Sequence, residues 1–355
     1  MCELGERIGE REELVGGQIH LSNFYITRGE ARRGIEVAGR ALELVEDTKN
    51  ADLLTNAHLS YAYLAGTCGR LSQAIAHFDQ ALEICVRATT TSSFMGFLYP
   101  SAIRCQSAHV LHLLGRVTEA AKLAADGLQH AREANHLFSL CHALAGGAGW
   151  LTDLRREADA ALAHGAELIT LAEENRFAEW LPWGHFIHGR ALVELGQVSE
   201  GLVEMTIGIA GCQQLRGVPR LQYLIALHAE ATARAGRVED ALTSLSEALT
   251  HVEQTGEQVD YAEMLRLRGE LLLMRDRAAT AEAENSFRAA LEVARAQEAK
   301  WWELRATVSL AQLLRDTNRR EEGRAMLMDI YTWFTEGFDT TDFKEAKALL
   351  EELSN

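Results

Sequence analysis

The chain has 355 residues, 47% of them hydrophobic and only three of them proline, so it has ample material for a buried core and few interruptions to helices. Its 35 Lys and Arg against 51 Asp and Glu give a net charge of −16, which repels a phosphate backbone and argues against a nucleic-acid partner. No stretch approaches about 18 uninterrupted apolar residues, and the charged N-terminus lacks the apolar core of a signal peptide. We therefore expect neither a membrane association nor secretion.

The cysteines are scattered without any C-x-x-C pair, as is typical of buried thiols in a reducing compartment. We therefore expect a cytoplasmic protein in which they serve as small core residues. They are Cys2, Cys68, Cys85, Cys105, Cys141 and Cys212.

One pattern recurs along the whole chain: a turn residue, a small residue five positions later and, after seven more, a small residue followed by an apolar one. A further small residue lies about twelve positions before the first. Glycine and alanine at such spacings let two antiparallel helices cross closely, so each occurrence predicts a helical hairpin. The first small residues of the eight occurrences are Gly34, Ala74, Ala120, Ala158, Gly201, Ala241, Ala283 and Gly323.

The pattern predicts an all-α fold, a right-handed α-α superhelix of about eight hairpins that forms a single domain over residues 1–355. The predicted units are centred near 16–46, 55–87, 101–133, 139–173, 182–213, 222–253, 262–296 and 304–334, and a C-terminal capping helix follows at 339–354. In this last segment Gly337 can end the preceding helix, and Asp339, Thr340 or Thr341 can begin a new one. Phe343, Ala346, Leu349, Leu350 and Leu353 then make one apolar face, as a solenoid end requires.

These features resemble the tetratricopeptide repeat, most clearly from Ala57 to Glu83 and from Ala226 to Leu249. Successive units lie 38 to 46 residues apart, farther than the roughly 34 of the standard repeat. The extra residues, such as Thr89 to Tyr99 and Ala178 to Trp183, are candidates for loops or helix extensions between units.

The chain downstream of about residue 260 carries a more specific resemblance, which extends more loosely upstream, in the segments that begin at Ala262 (AEMLRLRGELLL), Ala281 (AEAENSFRAAL) and Trp333 (WFTEGFDTTDFKEA). It is similar to the end of bacterial multidomain proteins in which an adenylate/guanylate cyclase domain and a P-loop ATPase of the signal-transduction type precede a tetratricopeptide region. No G-x-x-x-x-G-K-[ST] phosphate loop occurs here, so the resemblance implies a regulatory arm and transfers no enzymatic residue.

The sequence contains few candidates for catalytic, metal-binding or phosphate-binding residues. His109/His112 and His185/His188 have the i, i+3 spacing of two metal ligands, but nothing in the sequence completes either pair, and packed or solvated histidines are the simpler interpretation. The run Gly146 to Gly149 resembles a phosphate loop only superficially, because it falls where close helix packing is needed. We expect no catalytic residue, no metal and no cofactor.

Aromatic and arginine side chains suggest a binding surface. If each first helix presents the same face to the concave side, the repeat register directs a set of large rings and guanidinium groups into the groove, where they are favoured anchors. The alternative is that several of them pack between units, to which we assign Trp180, Trp301 and Trp302. The predicted partner-binding residues are Tyr63, His109, His112, Trp150, Trp183, Phe186, Arg190, Tyr223 and Arg234.

The sequence thus favours a non-enzymatic interaction scaffold that binds a protein or peptide partner in its concave groove, in a bacterial signalling system. Two alternatives stay open. One is a small-molecule sensor in which a ligand changes the curvature of the solenoid, and the other is the detached tail of a larger cyclase or ATPase.

Overall fold

The computed structural model describes residues 11–46, 48–88, 93–94, 96–215 and 218–354. Units 1 to 4 are the pairs α1 (Arg11–Thr27) and α2 (Ala31–Val45), α3 (Ala51–Thr67) and α4 (Leu71–Ala88), α5 (Tyr99–Leu113) and α6 (Val117–Glu133), and a composite first helix with α9 (Ala158–Asn175). The composite helix of unit 4 consists of α7 (Leu137–His142), a π-helix (Ala143–Gly149) and α8 (Trp150–Leu154).

Units 5 to 8 continue the same arrangement. They are the pairs α10 (Leu181–Glu194) and α11 (Val198–Gln214), α12 (Leu221–Arg234) and α13 (Val238–Thr255), α14 (Tyr261–Arg275) and α15 (Thr280–Ala296), and α16 (Lys300–Asp316) and α17 (Arg320–Trp333), followed by α18 (Thr341–Ser354). The predicted all-α superhelix of eight hairpins with a capping helix is confirmed. The described residues add one short antiparallel pair between α4 and α5, made of β1 (Ser93–Phe94) and β2 (Phe97–Leu98).

The small residues of the repeat lie where the helices of a hairpin cross. In unit 5, a Cβ added at Gly201 would lie 2.6 Å from a Val193 methyl carbon, and one at Gly189 would lie 2.7 Å from the backbone nitrogen of Met205. Several hairpin turns contain a glycine with positive φ, such as Gly69 at +76°, a conformation that a Cβ would strain. Close approach and tight turns therefore account for the pattern that recurs in the sequence.

The terminal segment forms the expected cap. Gly337 adopts a φ of +81° after α17, and the Thr340 hydroxyl donates to its carbonyl at 2.7 Å. The apolar face predicted for α18 is buried, from Phe343 at 1% exposure to Leu350 at 7%. The capping helix thus covers the apolar surface that unit 8 would otherwise expose.

The superhelix is wound so tightly that its later units contact its earlier ones. The turn of unit 1 meets the end of unit 6, where Arg32 Nη2 donates to the carbonyl of Glu253 at 3.1 Å. The next two units make similar contacts. Ser72 Oγ of unit 2 donates to Glu298 at 2.6 Å, and the backbone nitrogen of Thr118 in unit 3 donates to Glu336 at 3.2 Å. We call this line of contacts the seam.

Among the described residues, no helix combines the length and apolarity needed to cross a membrane.

Most of the cysteines are buried, as the sequence predicts. The buried ones are Cys85, Cys105, Cys141 and Cys212, and Cys68 is partly buried, while Cys2 lies outside the described residues. Burial raises the pKa of the Cys85 thiol to about 11, so this thiol is held in its protonated, unreactive form.

Candidate functional site

The first helices of successive units line two neighbouring cavities. The first, which we call the aromatic cavity, has a volume of about 240 Å³ and is bounded mainly by units 1 to 5. Of the nine residues predicted to bind a partner, four line it: Tyr63, His109, Trp150 and Trp183. It also takes in Phe78, Phe97, His142 and Trp180, so that eight aromatic or imidazole side chains of the described residues surround it.

The rings of the aromatic cavity contact one another edge to face or stacked. Trp150 and Trp183 meet edge to face, with ring centroids 6.1 Å apart. Phe97, from β2, stacks on His142 at 4.3 Å and meets Trp180 edge to face at 5.8 Å. Such contacts hold the rings in fixed orientations, so that the wall of the cavity is preorganised.

Several polar atoms of these side chains are buried without a hydrogen-bond partner. Both ring nitrogens of His109, Nδ1 of His142 and Nε1 of Trp180 are in this state. Burial is the main cause of the low pKa of both imidazoles, well below the usual value for His109 and about 4 for His142. Each is therefore neutral near pH 7 and carries one donor and one acceptor nitrogen.

The glycines within the π-helix of unit 4 let its backbone come close to the neighbouring helices. A Cβ at Gly147 would lie 2.6 Å from Cys105 Sγ, and one at Gly149 would lie 2.9 Å from Ile187 Cδ1. The prediction that this glycine run serves close packing is confirmed. The π geometry itself was not predicted, and it places Ala145 and Gly146 on the wall of the aromatic cavity.

Arg220 stands between the two cavities. Its guanidinium lies 4.4 Å from the ring centroid of Trp150 and 5.2 Å from that of Tyr223, and it donates to both carboxylate oxygens of Asp260 at 2.7 and 2.6 Å. Trp150 and Tyr223 themselves stack at 5.9 Å. This group of side chains divides the aromatic side of the interior from a charged side.

The second cavity, which we call the charged cavity, has a volume of about 260 Å³ and is bounded by units 4 to 8 and α18. Three of the predicted residues line it: Arg190, Tyr223 and Arg234. Its ionisable lining consists of seven carboxylates and five guanidinium groups, namely Asp153, Glu194, Glu230, Glu263, Glu270, Asp342 and Glu345 with Arg156, Arg190, Arg234, Arg266 and Arg305.

Arg190 is the most densely paired of these cations. Its guanidinium lies 3.2 Å from Asp153, 3.1 Å from Glu194 and 3.0 Å from Glu230. Burial would raise the pKa of Glu230, but Arg190 and Arg234 outweigh it and lower that pKa to about 2. For Asp153, burial dominates and raises the pKa. The charged cavity is therefore an ion-pair network in which each carboxylate depends on its neighbours.

His112 and Phe186 line neither cavity. The His112 ring is fully buried and lies 4.2 Å from that of Trp301, and Phe186 is 1% exposed against Gly208. Trp301 and Trp302 are also buried, as predicted. The structure thus places seven of the nine predicted residues on a cavity and two in the packed interior.

In the second histidine pair, His185 contacts a carboxylate, whereas Nδ1 of His188 is buried without a hydrogen-bond partner. His185 Nδ1 lies 2.6 Å from Glu204 Oε2. Within the ranges that the structure describes, no group of three or more His, Cys, Asp or Glu side chains is placed to hold a metal ion.

Many residues of the site were missed from the sequence, among them Phe97, His142, Arg220 and Asp260. Trp180, which was predicted to pack between units, is buried but also lines the aromatic cavity. Phe97 lies in the inserted segment Thr89 to Tyr99, of which residues 89–92 and 95 fall outside the described ranges. Trp180 and Trp183 lie in the other insertion, Ala178 to Trp183. The unusually long spacing between units was therefore the sequence signal that could have indicated Phe97 and Trp180.

No protein-family model matches the chain, and no curated protein matches it. Among solved structures, the Rap conjugation gene regulator of plasmid pLS20 in complex with the Phr* peptide is 11% identical, with a TM-score of 0.53 over 96% of each chain. A signal transduction ATPase with a tetratricopeptide repeat sensor, from Pyrococcus horikoshii, is 11% identical, with a TM-score of 0.50 over 90% of this chain and 49% of that chain.

A third similar structure is the human IFIT1 dimer with m7Gppp-AAAA. It is 16% identical, with a TM-score of 0.51 over 94% of this chain and 71% of that chain. At such identities the similarity concerns the fold alone. The chain therefore has the fold of tetratricopeptide-type repeat proteins.

Proposed function

We propose that the chain is a single, non-enzymatic repeat domain that binds a protein or peptide partner in the interior of its superhelix. The supporting observation is that the first helices of successive units bring seven of the predicted residues to two adjoining cavities. A surface that joins preorganised rings to guanidinium groups suits a partner with both apolar and charged side chains.

The fold comparison is compatible with this proposal, since one similar structure is a regulator in complex with a peptide. Nucleic acid is not proposed, although another similar structure contains a capped oligonucleotide. The net charge of −16 and the excess of carboxylates in the charged cavity both repel phosphate groups.

The cellular context is proposed from the sequence resemblance alone. It points to a regulatory arm in a cytoplasmic bacterial signalling system of the cyclase and ATPase type. A cyclase or ATPase recovered together with this chain from the cells that encode it would support the context, and partners unrelated to nucleotide signalling would contradict it.

Affinity capture with two variants tests the binding surface. Trp183 and Arg234 are both partly exposed and line different cavities, so Trp183→Ala/Arg234→Ala should weaken capture of the partner by at least about tenfold. The control is Trp333→Ala/Arg132→Ala, which alters one Trp and one Arg, both about half exposed and outside both cavities. Equal capture by all three proteins would refute the proposed surface.

A further inference from the structure

The residues that make the units longer than a standard repeat converge on the aromatic cavity. The insertion before unit 3 contributes Phe97, and the insertion before unit 5 contributes Trp180 and Trp183. The segment before unit 6 contributes Pro219 and Arg220. Phe97 and Trp183 pack against the buried cluster that includes Trp180. Because these segments lengthen the units beyond the standard repeat, their convergence on one cavity favours a site built for a ligand.

The first helix of unit 4 departs from α-helical geometry where it lines this cavity. The π-helix Ala143–Gly149 interrupts an otherwise α-helical segment and supplies Ala145 and Gly146 to the lining. Short π-helical stretches inside α-helices cost stability and occur frequently at functional sites.

Size and lining restrict the ligand. A dry apolar cavity of roughly 150 Å³ accepts benzene, so a cavity of about 240 Å³ has room for one or two fused rings. The eight ring-bearing side chains of the wall offer edges and faces for stacked and edge-to-face contacts. A planar aromatic molecule uses these contacts better than an aliphatic one of the same volume.

Charge restricts the ligand further. Among the described residues, no carboxylate lines the aromatic cavity, and the permanent cation of the described lining is Arg220. Its guanidinium fork is already bonded to both carboxylate oxygens of Asp260, so neither a cationic nor an anionic ligand finds a free counter-charge there. The described lining thus offers a ligand the faces and edges of rings rather than a counter-charge.

We infer that the aromatic cavity binds an uncharged aromatic ring system of one or two rings. This inference rests on the proposed function and names the ligand chemistry of one part of that surface. The ring is either a free small molecule or the side chain of a peptide, since both present the same chemistry to the cavity.

Calorimetric titration of the full chain tests the inference with four probes: indole, N-acetyltryptophanamide, cyclohexanol and benzyltrimethylammonium. Saturable binding of indole at least about tenfold tighter than that of cyclohexanol is expected, because only indole makes ring contacts. The quaternary ammonium should bind more weakly than indole, because no carboxylate of the described lining neutralises its charge, and equally tight binding would overturn the inference that the ligand is uncharged. Binding of N-acetyltryptophanamide would identify a peptide side chain as the source, and its exclusion would identify a free molecule.

Variants locate the binding. Trp183→Ala should weaken indole binding about tenfold, Trp183→Phe should restore most of it, and Trp333→Ala should leave it unchanged. Thermal melting of each variant separates lost binding from lost folding. The inference is overturned if indole does not bind saturably, if cyclohexanol binds as tightly, or if Trp183→Ala binds like the wild type while folded. Partner capture by the charged cavity can survive all three results, so the two proposals fail separately.

Discussion

The two cavities are lined by the same kind of helix, yet ion pairs dominate the wall of one and rings dominate the wall of the other. In the charged cavity each of the five described arginines lies within 3.0 Å of a carboxylate oxygen. In the aromatic cavity the described wall consists mainly of rings. Ion pairs within the chain make buried charges part of the folded structure, whereas rings that border a cavity keep area for a ligand. We therefore expect substitution of a buried, paired side chain to affect mainly stability, and substitution in the wall of the aromatic cavity to affect mainly binding.

The largest effect is expected from Arg190→Ala. It removes the cation shared by three carboxylates whose side chains are only 12–19% exposed, so the free energy of unfolding should fall by about 3–5 kcal/mol. Urea unfolding measures this value. Arg132→Ala, which removes an exposed pair with Glu167, is the control and should cost at most about 1 kcal/mol. Equal effects of the two substitutions would refute the structural role of the network.

The pH dependence of the unfolding free energy tests the ion pairs of the charged cavity in a second way. The pKa of Glu230 is lowered from 4.5 to about 2, so its ionised form stabilises the fold above pH 4.5, and this stabilisation is lost as pH falls toward 2. The loss amounts to about 3 kcal/mol. Unfolding free energies from pH 6 to pH 2.5 should therefore fall more steeply for the wild type than for Glu230→Gln. Parallel curves would show that Glu230 is not held ionised.

Packing around the aromatic cavity is tested by Gly147→Ala. Its Cβ would lie 2.6 Å from Cys105 Sγ, so the substitution should destabilise the fold by about 1–3 kcal/mol. Gly16→Ala is a matched control in α1, where a Cβ meets nothing within 4 Å. There alanine should stabilise the helix by roughly 0.5–1 kcal/mol. Thermal melts of the two variants should move in opposite directions, and a shift in the same direction would contradict the packing described here.

The smallest effect is expected at the seam beside the aromatic cavity. Gln297 Nε2 donates to the Gln258 carbonyl at 2.7 Å, and the amides of Gln258 and Val259 donate to the Thr67 carbonyl at 2.8 and 3.1 Å. Gln297→Ala should cost about 1 kcal/mol and speed hydrogen exchange at these two amides while the amides of α1 keep their protection. Unchanged exchange would mean that Gln297 does not hold the seam.

Much of the fold could be predicted because its signals are local. The glycines and alanines at fixed spacing predicted the hairpins, and the apolar stripe from Phe343 to Leu353 predicted the capping helix. For the site, Trp183 and Arg234 were found from the repeat register. His112 occupies the same register but is buried against Trp301, because the next turn of the superhelix covers it there.

The sequence by itself determined the helices, their pairing and the terminal cap, since each depends on contacts within one unit or between neighbours. Only the tertiary structure decided which residues meet across the seam, where Arg32 and Glu253 are 221 residues apart. It also decided that Arg220 and Asp260 divide the interior into two cavities. Superhelical pitch sets these contacts through small rotations summed over many units, and no periodic pattern in the sequence records that sum.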